Sequence, residues 1–221
     1  NSTFLRAVPN AQSVSFFHAH PRKVGLVDLL ILRHGQSEWN AQGKWQGQAD
    51  PPLTDLGVQQ ALRAAEHLRD ANFQFDLIAS SDLQRAKHTA EIISQTIGGG
   101  PVLAQTEFRE RHAGAWEGLT RVQIEASWPG AIEEQRWPEG YENDHSVMAR
   151  LIPALERLRP DQKSVLIVGH AGLIRALDRR VEVPDAAITN HLSGRWYSLK
   201  DDLKAGDIAD FSEQALLHEL E

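Results

Sequence analysis

The sequence predicts an α/β fold, a three-layer sandwich in which a mainly parallel central sheet is flanked by helices. Three observations carry that expectation. Short apolar runs alternate with longer segments whose apolar positions recur at helical spacing. The first run, Leu29-Leu30-Ile31-Leu32, is apolar at every position, as in a buried strand. It stops abruptly at Arg33-His34-Gly35, which sets a fixed cation and an imidazole at the carboxyl end of a sheet strand, the edge where open α/β sheets bind ligands.

The elements follow in order. After the strand at 29–32, Thr54 is placed to cap a helix with apolar positions Val58, Ala61, Leu62, Ala65 and Leu68. Residues 75–80 read as the second strand. Leu83, Ala86, Ala90, Ile93 and Ile97 then repeat at helical spacing until Gly98-Gly99-Gly100-Pro101 stops the helix. Residues 102–107 are the third strand candidate, and 147–158 a helix with Asn143 or Asp144 as its cap. Residues 164–168 form the fourth strand and 173–180 the helix after it.

Residues 111–145 break this rhythm. They hold Trp116, Trp128 and Trp137 out of six tryptophans, with prolines after the last two, and are too irregular for a sheet element. The tail after Lys200 receives no element; residues 203–207 and 216–221 are expected to pack or fray. The expected organisation is an N-terminal extension at 1–27, flexible or loosely docked, and one domain at 28–221 with an insertion at about 111–145. Phe16-Phe17 and Arg22-Lys23 are interrupted by His18, His20 and Pro21, so 1–27 does not read as a secretory signal.

Composition narrows the function classes. A formal net charge of −7 supplies no basic field for nucleic acid or an anionic membrane. Positive potential must be local, which suits a small anionic substrate held by a few arginines. With no cysteine, disulfides, thiolate metal sites and a cysteine nucleophile are excluded. No apolar run reaches membrane-spanning length. A cytoplasmic location and a monomer or homodimer are expected.

Several motifs now belong together. Besides Arg33-His34-Gly35-Gln36-Ser37-Glu38-Trp39-Asn40, the chain carries Gln46-Gly47-Gln48-Ala49-Asp50-Pro51-Pro52-Leu53-Thr54, then Ser80-Ser81-Asp82-Leu83-Gln84-Arg85-Ala86, then Phe108-Arg109-Glu110 with Gly114-Ala115-Trp116-Glu117-Gly118, then Val165-Leu166-Ile167-Val168-Gly169-His170-Ala171-Gly172. In this order they resemble the signature of the histidine phosphatase superfamily, the phosphoglycerate mutase-like family, over roughly residues 29–199. The resemblance implies a phosphoglycerate mutase-like sandwich, a phosphohistidine on His34 whose tautomer is held by the Gly35 carbonyl, and a lid formed by the 111–145 insertion. It also implies phosphate or substrate contacts from Asn40, Gln46, Gly47 and the backbone at Ala171.

The residue chemistry fits that implication. Phosphoryl transfer needs cations around the peripheral oxygens, an in-line nucleophile and a proton for the leaving oxygen. Arg33 and Arg85 are the candidate clamp, since guanidinium binds phosphate bidentately and stays charged. Any one arginine is ordinarily a surface ion pair, but Arg33 ends an apolar strand beside His34. Neutral imidazole at His34 is a competent nucleophile near neutral pH. His170 opens a helix after an apolar strand, and its imidazolium with the helix N-terminal N–H groups is expected to stabilise the transferring group. Glu110 is the candidate acid and base, Glu107 and Glu117 being the neighbours that compete with it, and Glu117 the one that reads as a supporting residue. The role of Glu142 is open, because 139–143 departs from the family pattern. No metal and no cofactor is required, since arginines and histidines carry the charge.

The segment from Glu110 to the helix at 147 is short, which looks like the phosphatase branch. The expected activity is hydrolysis of a small phosphorylated metabolite through a phosphohistidine. The alternatives are a cofactor-dependent mutase and a non-catalytic phospho-ligand binding domain.

Overall fold

A strand that is apolar at every position must be covered on both faces, and that requirement organises the fold. The computed structural model describes residues 26–158, 162–184 and 190–212. In chain order these form β1 (Val27–Arg33), the short α1 (Glu38–Ala41), α2 (Asp55–Asp70), β2 (Leu77–Ser81), α3 (Gln84–Ile97), β3 (Leu103–Gln105), α4 (Arg121–Ser127), α5 (Asp144–Arg157), β4 (Ser164–Gly169), α6 (Ala171–Arg180), β5 (Ser193–Leu199) and β6 (Leu203–Asp210). Alternate residues of the central strands feed two separate cores. Leu29, Ile31, Val165 and Ile167 pack against Leu151 and Leu155 of α5 and Ile174 and Leu177 of α6. Leu30, Leu32, Leu166 and Val168 pack against Ala64 and Leu68 of α2 and Ala90 and Ile93 of α3. Each of these leucine, isoleucine and valine side chains contributes about 1.5–3 kcal/mol when fully buried, and the three layers follow directly.

The sheet order is β3-β2-β4-β1-β5-β6. The pairs β1–β4, β2–β4 and β2–β3 are parallel, whereas β5 is antiparallel to both β1 and β6. The chain leaves β1 toward α2 on one face and leaves β4 toward α6 on the other. Two neighbouring strands whose connections diverge in this way open a crevice at their carboxyl ends.

Local chemistry explains the helix ends. Thr54 caps α2, its hydroxyl accepting from the Gly57 amide at 3.0 Å. Of the two candidate caps for α5, Asn143 takes the role, accepting from the Ser146 amide at 3.0 Å. Gly98 closes α3 in the left-handed region at φ 71°.

The sequence reading needs correction at four places. Val27, assigned to the extension, is the first residue of β1; residues 1–25 lie outside the described residues. The third strand is only Leu103–Gln105 and turns into a 3-10 helix at Thr106–Phe108. The sheet also gains β5 and β6, so 203–207 neither frays nor merely packs, while 216–221 lies outside the described residues. β6 escaped notice because an edge strand carries little apolar signal: Lys204 through Ile208 are exposed, with Lys204 and Asp207 among them. The 111–145 segment contributes no strand, as expected, but it contains α4 and has a core of its own built from Trp116, Ile124 and Ala131. No helix among the described residues is long and apolar enough to cross a membrane.

Helix α6 is tied to the sheet by buried charge. Arg195 on β5 lies 2.8 Å from Asp178 Oδ1. The Tyr197 hydroxyl donates to the same oxygen at 2.7 Å. Asp178→Ala leaves Arg195 buried without its counter-charge and is expected to lower the unfolding free energy by about 3–5 kcal/mol. The urea midpoint measures this, and an unchanged midpoint would show that the pair is dispensable.

Candidate active site

The site begins with strand register. Arg33 of β1 pairs with Gly169 of β4, so the next residue on each strand, His34 and His170, emerge side by side. Neighbouring strands run about 4.8 Å apart, and the two imidazole centroids are 5.1 Å apart at 66°. Both histidines are buried. His34 Nδ1 lies 2.5 Å from the Gly35 carbonyl oxygen. A carbonyl only accepts, so Nδ1 carries the proton and Nε2 keeps its lone pair. His170 caps α6 in an extended conformation, and neither of its ring nitrogens has a hydrogen-bond partner among the described residues.

Two arginines stand around these rings. Arg85 sits in the first turn of α3, whose start is held by Asp50 accepting from the Gln84 amide at 2.7 Å. Its guanidinium is fully buried and donates to the Ala49 carbonyl at 2.7 Å and the Gly47 carbonyl at 3.0 Å. Burial lowers both Arg33 and Arg85 to about 10, with the Glu110 carboxylate acting in the opposite direction on each. Both remain cations at neutral pH.

These cations govern the imidazoles. Burial first, then the charges of Arg85 and Arg33, holds His34 well below the usual histidine range, against the pull of the Gly35 carbonyl. Burial, then Arg85 and His34, does the same to His170. A neutral His34 is what a nucleophile requires. The imidazolium expected at His170 needs an anion beside it to offset the arginines.

A third histidine completes the cluster without any signal in the sequence motifs. His191, just before β5, stands 6.2 Å from the His34 ring. Its Nε2 lies 3.2 Å from Asn40 Oδ1. Burial and the charge of Arg33 lower it to about 3. Asn40 Oδ1 also accepts from the Ser37 amide at 3.2 Å in the α1 capping box. With its oxygen engaged, Asn40 is left to offer its NH2 group. Gln46 is oriented likewise, since its Oε1 accepts from the Ser37 hydroxyl at 2.7 Å.

Three glutamates were candidates for the acid, and their partners separate them. Glu107 pairs with Arg157. Glu117 braces the loop after Gln46, accepting from the Gln48 amide at 3.0 Å and the Ala49 amide at 3.1 Å. Gly47 is required there: it has φ +53°, and a Cβ would stand 2.6 Å from Glu117 Oε2. Glu110 alone of the three borders the cavity that contains the histidines. It accepts from the Arg111 amide at 2.8 Å and the Gly172 amide at 3.0 Å, at the start of α6. A Cβ on Gly172 would lie 2.0 Å from Glu110 Oε1, so only glycine admits this approach.

The Glu110 segment is braced from outside. Arg109 forms a two-pronged pair with Asp82 at 2.7 and 2.6 Å. Arg150 donates to the Glu107 carbonyl at 2.6 Å and pairs in the same way with Glu142 at 2.8 and 2.9 Å. Glu142 is therefore a strut, through Arg150, for the backbone beside Glu110 and does not border the cavity.

Arg33, His34, Asn40, Gln46 and Gly47 thus meet Arg85, Glu110, His170 and Ala171 around one cavity of about 970 Å³. Its outer wall adds groups that the sequence did not announce: Arg111, Asp144, Arg175 and Arg179, with Trp137 and Tyr141 facing them. Asp144 binds Arg111 at 2.8 Å and Arg179 at 2.6 and 2.8 Å. Arg175, one turn into α6, is half-buried and makes no ion pair among the described residues. Among the described residues no group of three or more histidines and carboxylates is arranged to hold a metal ion.

Residues 29–193 match the family described as the histidine phosphatase superfamily (branch 1). A glucosyl-3-phosphoglycerate phosphatase from Mycolicibacterium vanbaalenii is 42% identical over 163 residues, spanning 67% of this chain and 71% of that protein. A 2,3-bisphosphoglycerate-dependent phosphoglycerate mutase from Methylorubrum extorquens is 33% identical over 163 residues, spanning 67% of this chain and 76% of its own length. The native structure of a mycobacterial glucosyl-3-phosphoglycerate phosphatase superposes with a TM-score of 0.70 at 34% identity, covering 81% of this chain and 97% of that one.

The buried histidines make stability depend on pH with a definite sign. Their folded-state values lie below 6.5, so their contribution is complete above that pH and is lost as pH falls toward the folded values. Glu142 and Asp144 have depressed values too, but they lose their contribution only below their ordinary 4.5 and 3.8. Urea-derived stability is therefore expected to fall between pH 6.5 and 4.5, with a shallower slope in His191→Phe. Superimposable slopes would remove His191 from this account.

Proposed function

This chain belongs to the histidine phosphatase superfamily (branch 1), and from that premise we propose that it hydrolyses small phosphomonoesters through a phosphohistidine on His34. One observation carries the reading. A buried imidazole with its Nδ1 proton committed to Gly35 stands beside a second imidazole, in a cavity lined also by half-buried Arg33, the fully buried Arg85 and the Glu110 carboxyl group. In the first step His34 Nε2 attacks phosphorus, the bond to the ester oxygen breaks, and Glu110 protonates the departing alkoxide. Arg33, Arg85, the Asn40 and Gln46 amides and His170 hold the three peripheral oxygens. In the second step Glu110 takes a proton from water, which attacks phosphorus as the P–N bond breaks and releases inorganic phosphate.

Hydrolysis is favoured over mutase chemistry by the higher identity to the phosphatase relative and by the short segment between Glu110 and α5. The presence of every group the chemistry needs disfavours a non-catalytic binding domain. The wall supports a further feature of the substrate. Arg175 borders the cavity with no ion-pair partner among the described residues, so an alcohol part bearing a carboxylate fits. The ester named for the phosphatase relatives, a phosphoglycerate, has that chemistry.

His34→Ala is expected to abolish turnover and acid-labile phosphorylation while circular dichroism stays native; equal labelling of the variant would overturn the assignment. Glu110→Gln is expected to cost about 10²–10⁴-fold with poor leaving groups. The loss should shrink toward p-nitrophenyl phosphate, whose phenolate leaves with little help. A small, uniform loss across leaving groups of graded pKa would make Glu110 a bystander.

A further inference from the structure

Two tryptophans border the cavity without a part in the chemistry, Trp45 and Trp137, and Trp137 is the more exposed. Trp116 is fully buried, and Trp128 packs onto it in the small core of the 111–145 segment. Neither borders the cavity. Trp137 differs, being 40% exposed and part of the cavity wall. Its ring lies parallel to Tyr141, with centroids 4.5 Å apart at 8°. Trp116 supports it in a T-shaped contact at 5.7 Å. Tyr141 is backed in turn by Arg111, whose Cζ is 5.6 Å from the ring centroid and whose NH1 donates to the Tyr141 hydroxyl at 3.2 Å. Arg111 itself is fixed by Asp144 and by the Gly172 carbonyl at 3.0 Å. The result is a rigid stack whose last ring stays open.

A large apolar ring held open in a polar cavity has no internal purpose; such surface in a concave site marks a ligand contact. Its surroundings indicate the ligand. Gln135, Asn143 and His145 border the same cavity and offer both donors and acceptors. A flat apolar face within a hydrogen-bonding rim matches a saturated ring that carries C–H bonds on its face and hydroxyls on its edge. The Tyr141 ring is already covered by Trp137 and Arg111, and Trp45, the other tryptophan of the wall, is engaged edge-on with Trp116 at 5.1 Å.

We propose that Trp137, backed by Tyr141, forms a subsite for a hydroxylated sugar ring attached to the alcohol part of the phosphomonoester. The proposal rests on the phosphomonoesterase reading and adds to it the place where the ring is recognised. Glu110 and the histidines act on the bond being broken, whereas Trp137 acts on the group that leaves.

The test compares glucosyl-3-phosphoglycerate, 3-phosphoglycerate, a nucleoside monophosphate and p-nitrophenyl phosphate on the wild-type chain, Trp137→Ala and Trp137→Phe. In Trp137→Ala, kcat/KM for the glucosyl ester relative to p-nitrophenyl phosphate is expected to fall about tenfold, the upper range of one aromatic contact, mainly through KM. The same ratio for 3-phosphoglycerate should move far less, and Trp137→Phe should restore most of the loss. Both ratios falling together, or neither falling, overturns the subsite. A selective loss confined to the nucleotide overturns the sugar assignment. If the wild-type chain hydrolyses none of these esters, the phosphomonoesterase reading fails by itself. Calorimetry with glucosylglycerate then decides the subsite: binding that weakens about tenfold in Trp137→Ala upholds it, and equal or absent binding rejects it.

Discussion

The parallel pairing of β1 with β4, with Arg33 opposite Gly169, is the constraint on which the site depends. It places His34 and His170 next to each other without any bond between them. The same pairing directs Leu29 and Ile31 to one core and Leu30 and Leu32 to the other. A slip of one residue would exchange the two faces and separate the histidines. Because the apolar strands fix the register so strongly, the geometry of the candidate site inherits the stability of the core.

Charge is arranged on that frame at close quarters. The chain is acidic overall, at −7, yet the cavity floor is cationic. Arg85 donates to the carbonyls of Gly47 and Ala49 and not to a carboxylate, and its buried Nε has no partner among the described residues, so its charge is still available to an anion. Preorganised cations in a buried site act strongly because water does not screen them. The same field keeps the imidazoles neutral. In the proposed reaction an arriving phosphate finds donors already fixed around it and, at His34, a nucleophile with a free lone pair.

The Glu110 carboxyl group, the proposed acid, is placed by struts as well as by its own contacts. Arg109 with Asp82, and Arg150 with Glu142, clamp the backbone on both sides of Glu110. Gly172 then lets its carboxylate reach the first turn of α6. In this way helix α6 connects His170, Glu110 and Arg175. The Asp178–Arg195 pair anchors the far end of that helix to β5.

The sequence alone determined the parallel core, the order of its strands and helices and nine residues that line the cavity, because these depend on local patterns: continuous apolar runs, helical periodicity, capping residues and contiguous motifs. It left other matters open for a physical reason. β5 and β6 lie at the antiparallel side of the sheet, where β6 is exposed and carries charges, so burial leaves no imprint on its composition. His191 and Arg175 stand in no motif; only the packing of the residues before β5 and the turn of α6 brings them to the cavity. Glu107, Glu110, Glu117 and Glu142 are chemically alike, and their partners, which lie up to 69 residues away in the chain, assign them different tasks. The three tryptophans are likewise equivalent in sequence, and tertiary packing buries Trp116, pairs Trp128 with it and leaves Trp137 open. Which residues have these chemical capacities is written locally; which of them meet is decided by long-range contacts that no local pattern encodes.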